Sequence, residues 1–191
     1  AAAHGERRRH PADGSLTIGG LSVSEFKNAQ VTPGSGMEVV QRAMKYLGTP
    51  YVWGGTTPSG FDCSGLTKYV MNEMGVEIPR LAADQGTVGT EIPSLAEARP
   101  GDLIVLNNGA HVGIYIGENQ MLHAPRPGDQ VKIGTIYGSI DTIRRVVPAG
   151  QVLTSNTGNT AALTSTSATD AAVGRAVLNA LASSGQSAST L

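Results

Sequence analysis

Apolar residues recur at helical spacing in two segments of the first half of the chain. In residues 37–48 one predicted helical face carries Val39, Val40, Ala43, Met44 and Leu47. Ser35 precedes this helix as a candidate N-cap, and Gly48 ends it. A second helix is predicted to begin at Cys63 and to end near Gly75. Its buried stripe comprises Leu66, Tyr69, Val70 and Met74.

From Pro100 onward the hydrophobic period changes from that of helices to that of strands. Residues 102–106 (DLIVL) form a compact apolar run, and residues 111–117 (HVGIYIG) alternate between two faces. Three further candidate strands are MLHAP, QVKIGTIY and DTIRRVVP. Helices followed by an antiparallel sheet of about five or six strands predict an α+β fold.

The pattern divides the chain into three parts. Residues 1–35 lack sustained periodicity and are predicted to be a partly ordered N-terminal extension that could hold a short strand. Residues 36–148 carry the periodic segments and form the predicted domain. Residues 149–191 are rich in Ser, Thr and Ala, with only Asp170 and Arg175 charged. We predict that this tail is mostly disordered.

Composition excludes several classes of protein. The net charge is −1 and the sequence pI is about 6.5, so there is no basic footprint for nucleic acid. No apolar run approaches the roughly 18 residues that a membrane span needs. The single cysteine cannot form an internal disulfide. The first residues, AAAHGERRRHPADG, lack the apolar stretch of a signal peptide.

The sequence context of Cys63 suggests chemistry for a residue type that is usually inert. A helix N-terminus and a neighbouring imidazolium both lower the pKa of a thiol, so we expect a thiolate here. Of the four histidines, His4 and His10 lie in the N-terminal extension and receive no role. His111 and His123 lie on adjacent predicted strands, and the order Cys, His, polar residue is that of papain-like cysteine proteases.

The two histidines must share a face of the sheet to act together. They are twelve residues apart, and a plain two-residue loop at Glu118-Asn119 would place His123 opposite Ile114. His123 would then point away from His111. The catalytic interpretation therefore predicts an odd-length loop or a β-bulge beside this turn.

Six motifs in order resemble the NlpC/p-sixty family of cell-wall endopeptidases over roughly residues 37–147. They are GTPYVWGG (48–55), FDCSGL (61–66), IPR (78–80), RPGDLIVL (99–106), HVGIYIG (111–117) and MLHAP (121–125). The resemblance implies a papain-like fold, with the helices packed on the sheet. It also implies that Cys63 is the nucleophile, that His111 is the base and that His123 orients His111.

The resemblance further implies substrate contacts. Tyr51 would donate a hydrogen bond to the oxyanion, Asp62 and Ser64 would contact the substrate, and Arg80 would lie at the edge of the site. Simpler interpretations exist: Tyr51 and Trp53 could roof the core, Asp62 could be only a helix N-cap, and Ser64 only a first-turn residue. The segment RLAADQ, with Leu81 and Ala82, departs from the family's frequent hydroxyl residues, which leaves substrate detail open.

The implied activity is hydrolysis of a peptidoglycan stem peptide between γ-D-glutamate and the diamino acid, diaminopimelate or lysine. The alternatives are a catalytically silent peptidoglycan-binding module and an amidase or acyltransferase on the same scaffold. A metal site from Cys63, His111, His123 and Asp62 is disfavoured because the spacings match no standard zinc pattern. We expect no cofactor, a monomer, and a secreted or cell-envelope location.

Overall fold

The protein is described by a computed structural model over residues 16–153. The predictions for His4, His10 and the tail beyond residue 153 lie outside the described residues. Within residues 16–153 the α-helices are α1 (Val23–Asn28), α2 (Gly36–Met44), α3 (Cys63–Glu73) and α4 (Ala82–Gln85). The strands are β1 (Thr17–Ile18), β2 (Leu21–Ser22), β3 (Gln30–Val31), β4 (Thr56–Thr57), β5 (Gly60–Phe61), β6 (Thr90–Glu91), β7 (Leu103–Leu106), β8 (His111–Gly117), β9 (Gln120–His123), β10 (Lys132–Thr135), β11 (Ile140–Arg145) and β12 (Val152–Leu153).

A six-stranded sheet forms the centre of the described chain. Its strand order is β10-β9-β8-β7-β11-β6, and every neighbouring pair is antiparallel. The five longer strands coincide with the five segments predicted from the hydrophobic pattern. The α+β class and the antiparallel sheet are confirmed.

Both predicted helices form: α3 begins at Cys63 as predicted, and α2 follows the predicted N-cap Ser35 but ends at Met44, four residues before the predicted end at Gly48. Ser35 is the N-cap residue of α2, but its hydroxyl donates to the Thr32 carbonyl at 2.5 Å instead of capping the helix. The N-cap of α3 is Asp62, whose carboxylate accepts from the Gly65 N–H at 2.7 Å. An aspartate at this position satisfies a free N–H group of the first turn. The cap therefore fixes Cys63 as the first residue of α3.

The sheet is buried on both faces, which explains the continuous apolar run of β7. Leu103 and Val105 belong to the main core, in which α2 and α3 pack against the sheet. Ile104 and Leu106 point the other way, into a smaller cluster that contains Tyr115 and other buried side chains. Since β7 has apolar partners on both faces, its sequence does not alternate.

The segment before α2 also contributes to the core. Ile18 and Phe26 are fully or almost fully buried in the main cluster. The Gln41 side chain on α2 donates to the carbonyls of Phe26 and Ala29 at 2.8 and 2.7 Å. Strand β3 pairs with β12, so the segment before α2 lies beside the last described residues.

Candidate active site

The β8–β9 hairpin contains the bulge that the histidine spacing requires. Gly117 lies opposite Gln120 across a two-residue turn in which Glu118 and Asn119 have positive φ. The register then shifts between Tyr115 and Gly117, so that Tyr115 lies opposite Met121. One extra residue in β8 returns the later residues of β9 to the face of His111. The predicted bulge is thus present, and it replaces the plain register that would have separated the imidazoles.

The two imidazoles are joined by a hydrogen bond. His111 Nε2 and His123 Nδ1 are 2.8 Å apart, and the rings meet edge to face. Both side chains are buried, at 6% and 3% relative exposure. Burial disfavours the charged form and lowers the pKa of each histidine to about 4; for His123 the neighbouring His111 acts in the same direction. Both rings are therefore neutral at pH 7.

This bond has a consequence for the free nitrogen of His111. If the Nε2–H of His111 donates to His123, the Nδ1 of His111 carries no proton and can accept one. The third residue then fixes both the orientation of the ring and its tautomer. This is the arrangement that a general base needs, and it is the role that the sequence resemblance implies for His111.

Cys63 lies where α3 packs against β8. Its sulfur is close to the backbone N–H of Val112, the residue directly after His111, and to the N–H of Ser64. The ring of Tyr137 stacks on His111 with centroids 5.8 Å apart, and Cys63 is close enough to contribute, after burial, to the raised pKa of Tyr137. The sulfur therefore lies next to the first residues of β8, the strand that begins with His111, and Tyr137 neighbours both the sulfur and the His111 ring.

The expected thiolate is not supported by the structure. Burial raises the pKa of the Cys63 thiol, and the neighbouring carboxylate of Asp62 adds to the increase. The N–H groups of Val112 and Ser64 oppose this change without reversing it. The expectation of a lowered pKa rested on the helix N-terminus and on a neighbouring imidazolium, whereas His111 is neutral at pH 7 and burial raises the pKa of the thiol. The resting pair is a neutral thiol and a neutral imidazole.

A polar cluster lies beside Cys63 at the start of α3. The guanidinium of Arg80 donates to both carboxylate oxygens of Asp62, at 3.1 and 2.6 Å, and to the Ser64 hydroxyl at 2.7 Å. The second carboxylate oxygen of Asp62 also accepts from the Gly54 N–H at 3.1 Å. Asp62, Ser64 and Arg80, predicted separately as substrate contacts, thus form one network. Asp62 caps the helix and belongs to this network at the same time.

Tyrosines line the opening around the sulfur. The hydroxyl of Tyr51 lies near Cys63, the predicted nucleophile. Burial raises the pKa of Tyr51, and the nearby Cys63 and Asp62 add to the increase. Trp53 is 84% exposed, so it does not roof the core. Tyr137 was not singled out from the sequence. Its segment showed only strand alternation, and nothing in that pattern indicated that its ring would stack on His111.

The described residues also limit other kinds of site. Among residues 16–153, no group of three or more His, Cys, Asp or Glu side chains is arranged to hold a metal ion. In the same range, none of the helices has both the length and the apolar character needed to cross a membrane.

A cysteine that opens a helix, beside a bonded histidine pair on an antiparallel sheet, defines the class of papain-like cysteine peptidases. Within that class the chain belongs to the NlpC/P60 family, whose family model matches residues 48–147. The matched part contains every site residue that the sequence predicted.

Named relatives agree with this assignment. The chain is 45% identical over 106 residues to Protein P54 of Enterococcus faecium. The matched region covers 53% of this chain and 20% of that protein. It is 38% identical over 113 residues to the gamma-D-glutamyl-L-lysine dipeptidyl-peptidase of Bacillus subtilis (strain 168), covering 56% and 38% of the two chains. The match thus spans well under half the length of either relative.

The fold is also similar to that of solved structures. The NlpC/p60 domain of the peptidoglycan hydrolase SagA matches with a TM-score of 0.54 and 42% identity, over 59% of this chain and 99% of that domain. The peptidoglycan hydrolase RipB from Mycobacterium tuberculosis matches with a TM-score of 0.54 and 31% identity, over 66% and 69% of the two chains. These similarities confirm the papain-like fold.

Proposed function

We propose that this protein is a peptidoglycan endopeptidase that hydrolyses the stem peptide between γ-D-glutamate and the diamino acid. The observation that carries the proposal is the position of Cys63 at the N-terminus of α3, beside the His111–His123 pair. Both features lie in the part of the chain that matches the NlpC/P60 family. The names of the relatives support it, since one acts on a γ-D-glutamyl bond and others are called endopeptidases or peptidoglycan hydrolases.

The proposed reaction starts from neutral groups. His111 Nδ1 takes the thiol proton as the sulfur attacks the carbonyl carbon of γ-D-glutamate, forming a tetrahedral oxyanion. The Cys63 N–H and the Tyr51 hydroxyl donate to that oxyanion. In such sites the loss of one donor costs about 2.7–4 kcal/mol of barrier. Burial keeps the phenol of Tyr51 protonated, as donation requires.

The second half of the cycle returns the proton. The C–N bond breaks as the imidazolium of His111 protonates the leaving amine of the diamino acid, and a thioester with Cys63 remains. His111 then removes a proton from water, which attacks the thioester; the C–S bond breaks to release the acid, and His111 passes that proton to the Cys63 sulfur. The bond to His123 holds the His111 ring in place through both halves.

The polar cluster supplies the proposed contacts for the acyl side of the substrate. Asp62 carries a negative charge beside the cleft and suits a free amino group, while Arg80 both neutralises and orients it. The Ser64 hydroxyl accepts from Arg80 and donates to Asp62 Oδ1 at 3.4 Å, which leaves its second lone pair to accept a hydrogen bond from the substrate. For the protein as a whole we propose action on cell-wall peptidoglycan as a monomer that is secreted or held at the cell envelope.

The test uses defined muropeptides and mass spectrometry. The wild-type protein should split L-alanyl-γ-D-glutamyl tripeptides between the second and third residues, and Cys63→Ala should release no product while keeping the thermal midpoint of the wild type. Release of complete stem peptides from the glycan would instead indicate an amidase. Undiminished cleavage by Cys63→Ala would contradict the proposal, and binding to sacculi without any cleavage would favour the silent module.

A further inference from the structure

A pocket lies beside His123, between the end of β9, the start of β10 and Tyr137. It has a volume of about 380 Å³, within the range that small ligands occupy. Its lining residues are His123, Pro125, Arg126, Asp129, Lys132, Gly134, Thr135 and Tyr137. Two of them belong to the site already described, since His123 is bonded to His111 and Tyr137 stacks on it.

The chemistry of the proposed reaction assigns a side of the substrate to this pocket. The leaving amine must lie within reach of His111, which protonates it. The leaving diamino acid therefore lies on the other side of the scissile bond from the acyl group, for which Asp62 and Arg80 are the proposed contacts. The ring of Tyr137 lies over His111 and forms one wall of the pocket. The side chain of the leaving residue can follow that wall inward.

A β-turn places Arg126 at the rim of the pocket. Arg126, Pro127, Gly128 and Asp129 form a β-turn in which Gly128 has φ +82° and the Asp129 N–H donates to the Arg126 carbonyl at 3.1 Å. Proline followed by glycine with positive φ is the signature of a type II turn. The Asp129 carbonyl in turn accepts from the Tyr51 N–H at 2.9 Å, which ties the turn to the cleft.

The charges of this pocket are not balanced. Lys132 forms an ion pair with Asp129 at 2.6 Å. Arg126 is exposed, and among residues 16–153 its guanidinium takes part in none of the ion pairs. The pocket therefore holds one cation more than carboxylates, because its single carboxylate, Asp129, is already paired with Lys132. A ligand end that carries a carboxylate complements this excess positive charge.

We propose that this pocket selects diaminopimelate over lysine as the leaving residue, with Arg126 binding the carboxylate that stands next to the ammonium group at the end of its side chain. The two diamino acids share that ammonium group, but lysine has hydrogen where diaminopimelate has the carboxylate. Arg126 is therefore the residue that distinguishes them. A guanidinium suits this task because it donates two parallel hydrogen bonds to a carboxylate. The inference rests on the proposed function.

The experiment compares three tripeptides that differ only at the third residue: L-alanyl-γ-D-glutamyl-meso-diaminopimelate, the same peptide with the terminal side-chain carboxyl amidated, and the L-lysine peptide. We expect the wild type to have the highest kcat/KM on the first. Arg126→Gln should lower that value about tenfold and leave the other two within twofold. Arg126→Lys should lie between, since it keeps the charge but loses the paired geometry. The preference should shrink with added salt, because Arg126 is exposed.

Lys27→Gln is the matched control, since it removes an exposed cation from α1 and should change none of the three values. Equal effects of Arg126→Gln on all three tripeptides, or no effect on any, would overturn this inference while leaving the proposed function in place. Failure of the wild type to cleave any of the three would instead overturn the proposed function.

Discussion

At the scale of single residues, the reactivity of Cys63 is set by burial and by what surrounds the sulfur. Burial raises the pKa of its thiol, so less thiolate is present at any given pH than in a free cysteine. We expect alkylation of Cys63 by iodoacetamide to be slower at pH 7 than that of a cysteine peptide, and to keep rising past pH 9. Because the chain has one cysteine, the labelling rate reports this residue alone.

The pH dependence of hydrolysis tests the partner of the same pair. Since the pKa of His111 is about 4, the ring is neutral and able to accept a proton above that pH. We expect kcat/KM to be nearly constant between about pH 5 and 8 and to fall as pH falls through about 4.

Alkylation of the His111→Gln variant distinguishes the two possible resting states of the pair. A thiolate–imidazolium pair would give fast alkylation that is independent of pH between 5 and 8, and His111→Gln would then abolish this fast reaction. With neutral groups, His111→Gln should leave the alkylation profile almost unchanged.

The identities of the predicted reacting residues could be read from the sequence, but their protonation states could not. A unique cysteine before a helical stripe, and two histidines on adjacent strands, are patterns of the sequence itself. The pKa of a thiol depends on how much water the fold removes from it, and that follows from the packing of α3 against β8. Tyr137 was not predicted because its contact with His111 also depends on the fold: the two residues are 26 positions apart in the sequence.

At the scale of elements, Asp62 combines the capping of α3 with a proposed role in binding. Asparagine and aspartate are about equally good N-caps, whereas alanine costs about 1 kcal/mol. An asparagine keeps the oxygen that accepts from Gly65 but loses the charge that faces Arg80 and the substrate. We therefore expect Asp62→Ala to be about 1 kcal/mol less stable than Asp62→Asn in urea denaturation. Both variants should have kcat/KM lowered tenfold or more, mainly through KM.

Wild-type activity in Asp62→Asn would show that the residue acts only as a helix cap. Equal stability of the two variants would show that the cap contributes nothing. The pair of substitutions thus separates the two roles that the sequence leaves open for this residue.

The elements that could be predicted are those in which the hydrophobic pattern repeats over enough residues to be detected. The five longer strands and helices α2 and α3 each span four residues or more and bury a continuous stripe or face. The strands of two residues, such as β6, carry no period; β6 forms because the edge of β11 that faces away from β7 offers Arg144 and Arg145 as partners. The β8–β9 bulge was predicted by a different argument, namely that His111 and His123 must face each other.

At the scale of the whole molecule, the hydrophobic periodicity begins at residue 36, but the main core also includes residues that precede it. Residues 16–31 place Ile18 and Phe26 in the main core, and β3 pairs with β12. The predicted domain boundaries at residues 36 and 148 followed the loss of periodicity, and a six-residue helix with one buried side chain is too short to show any. We propose that the cooperative unit includes residues 16–31 as well as the part that matches the family.

Phe26→Ala tests whether residues 16–31 unfold together with the rest. Phe26 is fully buried, and its carbonyl is bonded to Gln41 on α2, so removing the ring leaves a cavity between α1 and the core. Such truncations cost about 3–5 kcal/mol, and we expect that loss in the free energy of unfolding followed by circular dichroism. Lys27→Ala, on the exposed side of the same helix, should change it by less than about 0.5 kcal/mol. If Phe26→Ala leaves the main transition unchanged and only adds an early one, residues 16–31 are an appendage, because a cavity inside a single cooperative unit must lower the stability of the whole.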